Sequence, residues 1–249
     1  MAWLALTPAE IMILTAICFA AGVVRGFSGF ALSALVMASA ALILPPIQLI
    51  PICWWLELSA SVLMARGGWQ EADRRIVWGL VITSALGTPI GLWLTTSIDV
   101  ESSKLIALCV IITLAALQLA KIRIPALASR SGLYGAGLLA GIVTGLASVG
   151  GMVIALYVLS SDTPARKMRA ALVLFLFLSS VTSLIWLFWF EMMNQQAITR
   201  GVVFAVPAIA GVYAGMKLFT PRFEPYYRPF CLTLLCGLSA FGLLRLTLS

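Results

Sequence analysis

Between Ile11 and Leu44 the chain carries a single charged residue, Arg25, and long apolar runs recur along its whole length. A helix of about 20 apolar residues matches the hydrocarbon core of a bilayer. Hydrophobic residues make up 62% of the 249, charged residues 10%, and the mean hydropathy is +1.08. A soluble domain has too much surface for so few polar residues. The runs do not alternate polar with apolar, which argues against a membrane β-barrel. The expected class is an all-α polytopic membrane protein.

The apolar segments fall at about residues 9–24, 31–44, 47–65, 76–95, 104–120, 131–147, 151–160, 168–190, 199–217 and 228–246. Proline and polar clusters separate them, among them "LPPIQLIP", "RGGWQEADRR" and "TPRFEPYYRP". Two segments are too short to span: Met152 to Ser160 covers about 15 Å and Ala31 to Leu44 about 21 Å as helix. Each follows a glycine-containing break, "GVVRGFSGFALSAL" from Gly22 and "GIVTGLASVGGMVIAL" from Gly141. Gly22 and Gly26 align with Gly141 and Gly145. Later in each half, "GTPIG" (Gly87, Gly91) aligns with "GVYAG" (Gly211, Gly215). The matches predict two repeats within one transmembrane domain, about residues 1–124 and about 125–249.

Charge tests this arrangement. If each broken pair enters the membrane and returns as a hairpin, one side collects Arg66, Arg74, Arg75, Lys121, Arg123, Arg130, Arg166, Lys167, Arg169, Lys217, Arg222 and Arg228. The other side receives only Lys104, Arg200 and Arg245. Basic loops stay cytoplasmic, so this predicts both termini outside. Five segments per half invert the second half relative to the first, as in many secondary transporters. The net charge of +7 is therefore read as topology and not as affinity for nucleic acid. The N-terminus lacks the basic start of a signal peptide, so the first helix is expected to stay.

Broken backbone inside a membrane must be buried in protein or line a polar cavity. The start of each short helix presents free N–H groups and a partial positive charge, an anion site. Candidate ligand contacts are Arg25, Gly26, Ser28 and Gly29 in the first break, and Ser148, Gly150 and Gly151 in the second. Inversion is expected to bring the two starts towards each other near the midplane. The alternative for Arg25 is that it reaches the headgroups while the glycines only let helices pack. Glu57 is the acidic residue deep inside an apolar run; it is a candidate for coupling or gating, through a pair with Arg25 or a carried proton, or else a structural ion pair. Tyr157 and Arg169 are candidates with packing and anchoring alternatives. Trp54, Trp55, Trp186 and Trp189 read as packing or interfacial aromatics. The five cysteines read as small core residues.

At these residues the sequence resembles the TauE/SafE family of sulfite exporters. "GVVRGFSGFALSALV" is similar to the family's glycine-rich opening of the first half, and "GLASVGGMVIALYVLSSDTPARKMRAAL" to that of the second. The chain departs at Phe30-Ala31, where further glycines are expected, and at Met152-Val153, where the family has prolines. The resemblance implies export of sulfite or a small organosulfonate such as sulfoacetate, and points to Gly150, Gly151 and Arg169 as site or gate residues. It implies a multi-pass protein of the bacterial inner membrane. The inverted architecture is expected to work by alternating access, one half rocking against the other about a midplane site.

Other classes fit less well. There is no histidine, no HExxH and no close carboxylate pair in the membrane, so an enzyme is not expected and no cofactor or metal is implied. No GxxxxGK[ST] motif marks ATP as direct driver. An anion channel lined by the same helix ends remains the alternative. Short loops leave little surface for soluble partners; lipid and a small anion are the expected partners, with a homodimer left open.

Overall fold

The computed structural model describes residues 4–64, 73–122, 124, 129–160, 165–218 and 224–248; side chains at 130, 165–169, 224–228, 247 and 248 are outside the description. The described residues form helices and no strands. In order they are α1 (Pro8–Ser28), α2 (Leu32–Ala40), α3 (Pro46–Met64), α4 (Arg74–Ser97), α5 (Val100–Leu119), α6 (Arg130–Ala147), α7 (Gly150–Ser160), α8 (Ala165–Trp189), α9 (Gln195–Leu218) and α10 (Glu224–Leu248). Seven helices contain a window long and apolar enough to cross a membrane; α2, α6 and α7 are the shorter ones. Helix is what a bilayer demands, because each backbone N–H must find its carbonyl within the segment. Many hydroxyls follow the same rule and bond one turn back, as Thr88 does to the Ser84 carbonyl at 2.8 Å.

Helix starts are capped where the sequence supplies a cap. Thr7 and Glu10 close a capping box ahead of Pro8, and Asp73, Asp99 and Ser129 cap α4, α5 and α6. Large apolar side chains point outward, among them Trp93, Ile185, Val206 and Phe241. That surface suits lipid.

The most extensive helix contacts join α1 to α9 and α4 to α6. Here lies the first correction. The first apolar segment was expected to end at about residue 24, with the break opening at Gly22; instead α1 runs unbroken through Gly22 and Gly26 to Ser28. A Cβ on Gly22 would overlap the Ala208 carbonyl, and one on Gly26 the Val212 carbonyl and Gly215. Gly141 and Gly145 press in the same way on Ser84, Thr88 and Leu92. In membranes small residues let backbones approach, and dispersion contacts then hold them. Thr95 Oγ1 adds a hydrogen bond to the Gly145 carbonyl at 2.9 Å.

Two polar ties fix the course of the chain. Arg200, expected on the extracytoplasmic side at the start of its segment, is buried near the start of α9. Its Nε donates to the Leu4 carbonyl at 2.8 Å, and its two terminal nitrogens to Gln48 Oε1 at 2.7 Å and the Ala5 carbonyl at 3.2 Å. The starts of α1, α3 and α9 therefore meet at one end, so the α1–α2 unit goes in and comes back. At α6–α7 the Ile124 N–H donates to Ser160 Oγ at 3.1 Å, so that unit also returns to the end it left. Arg200→Ala removes charge-assisted bonds and is expected to cost about 2 kcal/mol or more, read as a lower melting temperature in detergent.

A second correction concerns the cysteines. Cys18, Cys53 and Cys231 are buried as expected and Cys236 is partly so, but Cys109 is exposed on α5. A thiol is weakly polar, so facing lipid costs it little.

Candidate functional site

Both breaks turn on a left-handed residue. Gly29 has φ 80° and its N–H returns to the Arg25 carbonyl at 2.9 Å; Ser148 has φ 58° and returns to the Thr144 carbonyl at 2.8 Å. With Gly22 aligned on Gly141, Gly29 falls on Ser148 and Arg25 on Thr144. Ala31, φ 75°, adds a second left-handed position ahead of α2. A non-glycine there costs about 1–2 kcal/mol.

The first break is organised by charge. Arg25 has no exposed surface, so it does not reach the headgroups. Its guanidinium donates to the Gly29 carbonyl and, at 3.1 Å, to Ser61 Oγ, and it pairs with Glu57 Oε2 at 3.2 Å. Glu57 Oε1 accepts from the backbone N–H of Ser33 at 3.2 Å and from Ser33 Oγ at 2.9 Å. The protein's own carboxylate thus sits on the first turn of α2, where the dipole favours a negative charge. Ser28 Oγ is spent locally, donating to the Phe30 carbonyl at 2.7 Å and accepting from the Phe30 N–H at 3.3 Å. Gly26 lies on the face of α1 pressed against α9.

The second break is organised by hydroxyls. A cleft of about 20 Å³ is lined by Ile50 and Trp54 of α3, Thr88 and Leu92 of α4, Thr144 and Ser148 of α6, and Ser183 and Leu187 of α8. That volume is roughly the room of one water. Gly150 is buried, and a Cβ on it would collide with Thr144 Oγ1 and the Ala140 carbonyl. Gly151 meets the Leu176 side chain. Tyr157 is buried about two turns further along α7 and does not line the cleft. The Arg169 side chain lies outside the described residues.

Among the described residues α2 and α7 do not pack extensively on each other. The two breaks are instead linked through one turn of α3. Trp54 borders the cleft beside Ser148, and Glu57, on the same face one turn on, touches Ser33. Trp54 Nε1 also donates to the Ser180 carbonyl at 2.7 Å, fastening α3 to α8. Residue reading missed Ser33, Ser61, Thr88, Thr144 and Ser183. Thr144 had a signal, since it occupies Arg25's place when Gly22 is aligned on Gly141.

Fold and hydropathy together define a multi-pass α-helical membrane protein with two broken helix pairs in its interior. Residues 14–242 match the family model described as sulfite exporter TauE/SafE. The chain belongs to that family, a family of membrane transporters. Comparison with curated proteins and with solved structures gives no match.

Proposed function

We propose that the protein is a secondary transporter that exports a small oxyanion, sulfite or an organosulfonate such as sulfoacetate, by alternating access. The observation that carries this reading is the pair of left-handed breaks, each opening a short returning helix, flanking one turn of α3. Neutral hydroxyls and helix-start amides bind an oxyanion by hydrogen bonds without fixing it irreversibly. Of the expected contacts, Gly29, Ser148, Gly150 and Gly151 shape the two breaks, Arg25 and Glu57 carry the charge, and Thr88, Thr144 and Ser183 join Ser148 around the cleft. Gly26 and Ser28 support the first break by packing and by a local turn. Tyr157, on the return helix α7, and Arg169, near the start of α8, come second in this reading.

The inverted repeat is part of the same proposal. Exchanging α1–α5 for α6–α10 turns the α1–α9 contact into α6–α4, α3–α9 into α8–α4, and α1–α2 into α6–α7. Each of these pairs is in contact. The charge asymmetry of the loops supports both termini outside, in a bacterial inner membrane.

Purified protein is expected to melt at higher temperature with the right anion, because a ligand of the folded state alone stabilises it. The screen compares sulfite, sulfoacetate, sulfate, thiosulfate and simple carboxylates. No shift with any of them overturns the proposal. Saturable, counterflow-competent flux in proteoliposomes separates a carrier from a channel.

A further inference from the structure

The start of α2 has the features of an anion site, and it is already filled. Glu57 lies there, held by the Ser33 amide and hydroxyl on one oxygen and by Arg25 on the other. Among the described residues the second break shows no equivalent: Thr144 stands where Arg25 does when Gly22 is aligned on Gly141, and a Cβ on Gly151 at the start of α7 would meet the apolar side chain of Leu176. The two tips are therefore chemically different.

The Arg25–Glu57 pair is close but incompletely bonded. Among the described residues Arg25 Nε is fully buried with no acceptor, and Glu57 Oε2 has its ion pair but no hydrogen bond. A buried carboxylate facing a guanidinium well enough to use both its forks would leave neither orphaned. The guanidinium thus keeps an unused donor, buried beside the helix start.

We propose that Glu57 is a tethered competitor of the transported oxyanion, and that the anion takes its place on Arg25 and the α2 tip together with one proton. This rests on the anion-transport reading above. When an oxyanion moves onto Arg25 and Ser33, Glu57 loses both partners inside the apolar bundle. An unpaired buried carboxylate is costly, and protonation removes the charge. The proton comes from the aqueous side to which the site is then open, binds one Glu57 oxygen, and returns to water when the anion leaves and the pair re-forms. Each anion thus brings one proton into the site and gives one up on release. Among the described residues, the charged and titratable groups around Glu57 are Arg25 from α1 and Cys53 on its own helix, with Cys18 of α1 beyond Cys53. From α2 comes Ser33, which has no charge to titrate. Arginine stays charged, and thiols ordinarily lose their proton only above about pH 8, so below that neither supplies the exchanged proton.

The test measures binding of sulfate and methanesulfonate to the full chain in detergent, from about pH 5 to about pH 7, where neither probe changes its own charge and thiols stay neutral. Wild-type affinity is expected to fall as pH rises, approaching tenfold per unit for one linked proton. Calorimetry in buffers of different ionisation enthalpy is expected to show about one proton taken up per anion, a measurement that needs no mutant. Glu57→Gln is expected to bind about tenfold tighter or better, since the competitor's occupancy is removed, and to show no pH dependence. Binding by wild type without proton uptake overturns the exchange and leaves the transporter reading standing, as does a Glu57→Gln protein that keeps the wild-type affinity and pH profile. Failure of wild type to bind either probe, or any anion of the wider screen, overturns the transporter reading and this proposal with it.

Discussion

Arg25→Ala is expected to abolish anion flux and to destabilise the protein by about 3–5 kcal/mol, the usual cost of leaving one member of a buried pair alone. The substitution strips the Gly29 carbonyl, Ser61 and Glu57 of their shared cation at once. Two roles are folded into that one result, and a double variant separates them. Arg25→Met with Glu57→Leu removes both charges and fills a similar volume, which in other proteins is often neutral or stabilising. Its melting temperature is expected to return close to wild type while flux stays at background. Recovery of flux together with stability would show that the pair serves folding only.

The second large effect is expected at Gly145. A leucine there has no room, because even a Cβ would run into the Leu92 amide and the Thr88 carbonyl of α4. Unlike a side chain, that backbone cannot rotate away. Overpacking usually costs about 1–3 kcal/mol, and a backbone clash on the most extensive helix contact lies at or beyond the top of that range. Gly145→Leu is expected to yield little folded protein by size-exclusion chromatography in detergent. Gly135→Leu is the control, since nothing lies within contact of a Cβ at Gly135; it is expected to purify and melt like wild type. Equal yields from the two variants would mean that α4 and α6 do not meet through their glycines.

Much of this architecture can be read from residues because a bilayer leaves so few choices. Apolar runs must be helices, so all ten segments appear close to their expected places. The first break was misplaced for a specific reason. Glycine reads as a helix breaker, yet in lipid it also marks where two helices touch, and spacing alone does not tell Gly22 the breaker from Gly22 the contact. Arg25 and Glu57 stood out because charge is costly in an apolar run. Ser33, Ser61, Thr88 and Ser183 did not, since a hydroxyl can satisfy itself on its own helix and carries no visible cost. The exposure of Cys109 was hidden for a related reason: a residue at home in both protein and lipid gives no sign of which it faces.

The glycine contacts also bear on how such a protein can move. Gly22 and Gly26 belong to the first half of the chain, and the segment they press against, Ala208 to Gly215, belongs to the second. Gly141 and Gly145 reverse the arrangement against α4. The tightest seams therefore stitch one half of the chain to the other, and a rocking of whole halves would have to open both. A motion that kept both seams closed would carry α1 with α9 and α4 with α6, and so would cut across the two halves of the chain.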